Sequence, residues 1–173
     1  YLILLFVTII ANSFLFCQDP ETLLAEANSK MKIGELKSAD SLLNESLKID
    51  PSFAPAHVGF SELWLRKGDL VKANESATKA VQMDEDFRSW WEGLNDIRNR
   101  IQNGKRNVQQ SQFDSAIQEY EAITEKYPYF PEAQFYLGLT KFRQKDIEGA
   151  AFYFSEALKI YPDHQKARKG LNN

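Results

Sequence analysis

The chain has 173 residues, 43% hydrophobic and 26% charged, with 8 Gly, 6 Pro and a net charge of −3. This composition excludes a disordered or collagen-like chain, and a single Cys excludes a disulfide scaffold and a Cys-based zinc site. Two well-separated His and a slightly acidic balance leave no metal-site composition and no basic field for nucleic acid, so one domain or a short run of repeats remains.

Residues 1–17, YLILLFVTIIANSFLFC, carry no charge, and the chain turns polar at Gln18, Asp19 and Pro20. Seventeen residues sit at the short limit for a spanning helix, whereas an apolar run closed by polar residues is the pattern of a secretory signal peptide. The segment is read as a signal peptide, with an uncleaved anchor as the alternative and the mature chain starting near Gln18. The chain begins with Tyr, so the basic stretch expected ahead of the apolar run is read as missing. Cys17 closes the run where a bacterial lipoprotein would be cleaved and acylated. Phe16, however, stands where the lipoprotein pattern has Gly or Ala, and an ordinary cleavage site near Cys17 is preferred. The expected location is outside the cytoplasm, in the periplasm or cell envelope if the source is bacterial.

Three later segments resemble one another: IGELKSADSLLNESLKIDPSF from Ile33, KGDLVKANESATKAVQMDEDF from Lys67 and QKDIEGAAFYFSEALKIYPDH from Gln144. With SQFDSAIQEYEAITEKYPYF they align Ala39, Ala73, Ala116 and Ala150 at spacings of 34, 43 and 34, and 43 is 34 plus a nine-residue insertion. A 34-residue period belongs to helix-turn-helix solenoids. Within each unit, apolar residues recur at three and four, as in Ala150, Phe154, Ala157 and Leu158, giving each helix one stripe to bury. One helix pair cannot bury that stripe alone, so neighbouring units must stack.

These residues resemble the tetratricopeptide repeat family. Four residues after each small Ala come Leu43, Ala77, Tyr120 and Phe154; three further on come Ser46, Ala80, Ile123 and Ala157. The units close on Pro51, Glu85, Pro128 and Pro162, where only Glu85 departs from the helix-stopping Pro. The small position of the first helices is filled by Ala27, Ser61, Gly104 and Gly138. The resemblance implies an all-α, right-handed superhelical solenoid of antiparallel helix pairs. Its four units are 20–53, 54–87, 88–130 and 131–164, followed by the start of a further helix at 165–173.

The insertion in the third unit is RSWWEGLND, residues 88–96. Trp91, Leu94, Ile97, Ile101, Gly104 and Val108 are spaced 3, 3, 4, 3 and 4, which favours one extended helix over 88–110. The alternative breaks at Asn103-Gly104, a turn dipeptide.

Neither His57 nor His164 stands near a nucleophile in a strained turn, and no phosphate-cradling loop, H-E-x-x-H or EF-hand pattern occurs, so no enzyme, cofactor or metal is expected. The sequons at Asn44 and Asn74 fall inside helices and read as chance matches. Residues 18–87 carry 8 basic and 13 acidic residues, against 13 and 11 in 88–173, so the array is polarised along its length. The basic extreme holds Arg98, Arg100, Lys105 and Arg106, either as a solvated face or as a site for acidic segments.

In tetratricopeptide proteins the first helices line a concave groove. The resemblance thus implies groove residues Leu24, Asn28 and Met31, then Val58, Glu62 and Leu65, and a partner-binding set of Arg98, Ile101, Lys105, Phe135, Leu139, Phe142 and Arg143. For Phe135 and Phe142 the rival reading is interhelical core. The implied function is a non-enzymatic exported adaptor for a protein or extended, acidic peptide, with membrane contact only through an uncleaved leader or lipidated Cys17. The alternative is the docking or sensor arm of a longer chain, since the last helix is too short to form a full cap.

Overall fold

The computed structural model describes residues 19–172, so the leader and Cys17 lie outside the described residues. These residues form nine α-helices and no strand. The helices are α1 (Pro20–Lys32), α2 (Leu36–Ile49), α3 (Ala54–Arg66), α4 (Leu70–Met83), α5 (Arg88–Gln109), α6 (Phe113–Lys126), α7 (Pro131–Arg143), α8 (Ile147–Ile160) and α9 (Gln165–Leu171). A one-turn 3-10 helix, Glu85–Phe87, leads into α5.

Each unit turns the same way. At the turn within the pair the backbone adopts positive φ at Gly34 (80°), Gly68 (77°), Ser111 (60°) and Lys145 (65°), positions spaced 34, 43 and 34 apart. Gly adopts that region without strain, whereas Ser111 and Lys145 carry a Cβ against the carbonyl and are held there by the packed helices on either side. The next residue but one starts the second helix. Asp69 caps α4 by accepting from the Lys72 N–H at 3.0 Å, and Asp146 caps α8 by accepting from the Gly149 N–H at 2.9 Å.

The helix pairs pack through the aligned small residues: Ala39, Ala73, Ala116 and Ala150 are all buried, as are Leu43, Ala77, Tyr120 and Phe154. Gly104 and Gly138 let the first helix of their unit approach the aromatic ring of the second. A Cβ on Gly138 would lie 2.6 Å from the Phe154 ring, and one on Gly104 would strike Tyr120. In the second unit the corresponding residues are Ser61 and Ala77, both buried, and Trp90 of α5 packs on the core there, its Nε1–H donating to Ser61 Oγ at 2.9 Å.

Helix α5 is one continuous element of 22 residues, about 33 Å long at 1.5 Å per residue, with no break at Asn103-Gly104. Its buried stripe is Gly93, Leu94, Ile97, Ile101 and Gly104. The added turns set the third unit back along the array and bring the beginning of α7 onto the α3–α4 turn. There a Cβ on Gly68 would lie 3.3 Å from Glu132, 3.5 Å from Pro131 and 3.6 Å from His164.

Candidate functional site, a cavity between the second and fourth units

The α3–α4 turn, α5, α7 and α9 enclose a cavity of about 610 Å³. Arg98, Ile101 and Lys105 project from one wall, one helical turn apart; Glu132 and Tyr136 come from α7 and Lys166 from α9. Lys105 Nζ lies 4.8 Å from the centroid of the Tyr136 ring, which also stacks on the Tyr120 ring at 5.3 Å and tilts against Phe135 at 5.5 Å. Arg98 donates to Asn95 Oδ1 at 3.0 Å, and among the described residues neither Arg98 nor Lys105 has a carboxylate within 4.0 Å. Arg100 differs from them, because Asp96 at 3.0 Å and Glu119 at 3.1 Å neutralise it. The basic stretch therefore divides into a paired Arg100 and two uncompensated cations facing the cavity.

The far wall is organised by Glu132. Its Oε1 accepts from Lys166 Nζ at 2.9 Å and lies 3.5 Å from His164 Nε2. His164 Nδ1 accepts the Ala167 N–H at 3.1 Å as the N-cap of α9, so the proton of the neutral ring sits on Nε2, facing Glu132. Burial alone would raise the Glu132 carboxyl, but the neighbouring His164 and the hydrogen bond from Lys166 outweigh it and hold the group below the ordinary glutamate value. Lys166 is correspondingly raised by its hydrogen bond to Glu132. His57 lies apart on α3, half-buried, and burial with the Lys79 charge lowers its pKa.

The sequence-derived set is split between three places. Arg98, Ile101 and Lys105 line the cavity. Phe135 is buried between Phe154, at 5.8 Å between ring centroids, and His164, at 5.5 Å. Leu139, Phe142 and Arg143 lie farther along α7, exposed and outside the cavity lining. Two residues assigned to the groove of the first units, Met31 and Leu65, are buried in the core instead, because later elements cover the face that local periodicity leaves open. Glu132 and Lys166 went unassigned, although a signal existed: Arg98, Glu132 and Lys166 are spaced 34 and 34, one register position in successive units.

Among the described residues no group of three His, Cys, Asp or Glu could hold a metal ion, and no helix is long and apolar enough to cross a membrane. A stack of antiparallel helix pairs with a 34-residue register and a concave cavity defines a helical-repeat solenoid. Residues 101–164, from the middle of α5 to the end of the fourth unit, match the family model described as tetratricopeptide repeat.

Among solved structures, the TPR domain of P58(IPK) is similar over 88% of this chain and 44% of that one, with 19% identity and a TM-score of 0.61. This chain thus spans less than half of that domain, and the likeness establishes the fold. YrrB, described as a TPR protein with an unusual peptide-binding site, is 21% identical over 88% of this chain and 91% of its own, with a TM-score of 0.44. The first TPR of Spaghetti (RPAP3), solved with an HSP90 peptide bound, is 13% identical over 91% and 90%, with a TM-score of 0.38. A search of the curated proteins gives no match.

Proposed function

We propose that this protein is a non-enzymatic, exported adaptor that binds a protein or extended, acidic peptide in the cell envelope through the cavity-bearing concave face. The repeat fold supports an interaction scaffold, since its exposed surface is built from rigid helices around a concavity rather than from a strained catalytic turn. The observation that carries the acidic preference is the pair Arg98 and Lys105, uncompensated beside Tyr136 and Ile101. A carboxylate entering there gains two cations without displacing an existing ion pair, and an apolar neighbour on the same segment meets Ile101 and the Tyr136 ring. Leu139, Phe142 and Arg143 extend the contact along α7. The uncharged leader is the basis for export.

The test is crosslinking capture from cell-envelope extracts, comparing the protein with its Arg98→Glu/Lys105→Glu variant. Loss of specific crosslinks at unchanged helicity supports the site. Equal capture by the folded variant overturns it, and an intact leader on the fractionated protein overturns export by cleavage.

A further inference from the structure

The turns of the array repeat in position but not in surroundings. In each unit two apolar residues flank the inner turn, the one within the helix pair: Met31 and Leu36, Leu65 and Leu70, Val108 and Phe113, then Phe142 and Ile147, each series spaced 34, 43 and 34. In the first two units these pairs are covered. Tyr161, in the turn between α8 and α9, packs against the buried cluster that holds Met31 and Leu36, while Leu65 lies in one buried cluster with Phe130 and Ala133. Met31 is 1% exposed and Leu36 9%, whereas at the end of the array Phe142 is 46% and Ile147 60% exposed.

The chain itself shows what covers an inner turn: a joining turn, from the end of one unit to the start of the next, laid over it from two or three units away. The third joining turn, residues 127–131, brings Pro131 to the second unit's inner turn, 3.5 Å from a Cβ built on Gly68. The fourth, residues 160–164, lines a cavity with Ile33 and Leu36 of the first unit through Ile160 and Tyr161. The first and second joining turns place Ile49 and Met83 in register with Ile160, and both are exposed. Among the described residues the array thus ends in two unmatched edges, inner turns at Phe142 and Ile147 and joining turns at Ile49 and Met83.

The charges on these edges are opposite. Arg143 and Lys145 stand beside Ile147, and Asp84 and Asp86 beside Met83. Glu85 and Lys141 are paired, with Arg88 and Asp146, but among the described residues those four have no opposite charge within 4.0 Å.

We propose that a second copy of this chain supplies the cover: its joining turns at Ile49 and Met83 seat on the inner turns at Phe142 and Ile147, continuing the stack that the fourth unit makes on the first. Each copy offers a different edge, so the contact is head-to-tail and extends to further copies or closes into a ring. The apolar residues supply adhesion, and the acidic turn meeting the basic one sets the order of the copies. Ile49, Met83 and Ile147 lie outside the Arg98–Lys105 cavity, so either surface can fail without the other. Phe142 is shared with the contact proposed along α7 and stays unaltered in the test.

Sedimentation of the protein, as the cell processes it, is expected to show mass growing beyond one copy with concentration, and less so as salt rises from about 0.05 to 0.5 M. Ile147→Asp sets a carboxylate against the acidic turn, and Ile49→Lys with Met83→Lys sets ammonium groups against the basic one. All three residues are exposed, so the buried clusters are kept, and each variant alone is expected to remain a single copy with unchanged helicity. Mixed in equal amounts, the two are expected to form complexes of two copies and no larger, because each retains the edge the other has lost. An unaltered chain that stays single at every concentration overturns the proposal, as does association that survives in either variant alone. Association lost in both variants and not restored on mixing points to a two-fold contact and overturns the head-to-tail order.

Discussion

The second and fourth units meet one packing requirement with opposite residues. In the fourth, Gly138 opens a space that Phe154 of the same unit fills. In the second, the equivalent Ser61 and Ala77 are both small, and the ring that bonds to Ser61, Trp90, comes from the next unit's extended helix. The fourth unit fills this place from its own 34 residues, with Ala167 and Gly170 of α9 closing over the ring. The second takes its ring from its successor, and the nine inserted residues carry it. An insertion in a repeat array therefore has to be read with its neighbour's deficit.

Substitutions can break or sharpen this difference. The largest effect is expected from Phe154→Ala, which empties a buried site walled by Gly138 and Gly170, costing about 3–5 kcal/mol in urea unfolding. A loss near 1 kcal/mol would show that the fourth unit is also filled from outside.

Glu132→Gln tests where the two units touch, and should cost about 1–2 kcal/mol by weakening the bond from Lys166 and the approach of His164. The Glu132 carboxyl is lowered on folding, so its contribution is present above the ordinary glutamate value of 4.5 and is lost as pH falls through the lowered folded value. A melting series descending through the acid range should show that loss in the native chain and a flatter limb in Glu132→Gln.

Trp90→Phe keeps most of the ring but removes the donor to Ser61, for an expected cost of about 1 kcal/mol. With Ser61→Ala the two changes should cost less than their sum, since they share one hydrogen bond. Strict additivity would show that Trp90 fills space without that bond contributing.

The smallest effect has the other sign. Lys145→Gly relieves a left-handed non-Gly residue in the fourth unit's turn, where the second unit already has Gly68, and should stabilise by about 0.5–1 kcal/mol. An unchanged midpoint would mean that the turn's strain is matched by entropy gained in the unfolded chain.

Contacts between neighbours were legible in the sequence, because they depend on residues three, four and 34 apart. Ala39, Ala73, Ala116 and Ala150 fall into register, and the 3-and-4 spacing from Trp91 to Val108 specifies α5 as one helix. Contacts that skip a unit were not legible. The meeting of Gly68 with Pro131 and Glu132 depends on the rotation accumulated through α5 and α6, which no local pattern encodes. Phe135 shows the same limit at the site. Its spacing from Phe142 is that of one helix face, but α8 and His164 cover Phe135 while Phe142 stays open to solvent. Arg98, Glu132 and Lys166 were within reach, since the period that aligned the alanines also aligns them.

The contact between the α3–α4 turn and the start of α7 has a consequence for how the array comes apart. In an open solenoid each repeat touches only its neighbours, and the end repeats fray independently at the lowest cost. Here the α3–α4 turn at Gly68 lies close to Pro131 and Glu132, and Tyr161 packs against the first units' core. Peeling the last helix pair away therefore strips the cover from the first two units, and melting of those units removes the support of the last. These end-to-end contacts should couple the two ends: amide exchange in α2 and α8 is expected to slow together, and a substitution at Tyr161 should raise exchange in α2.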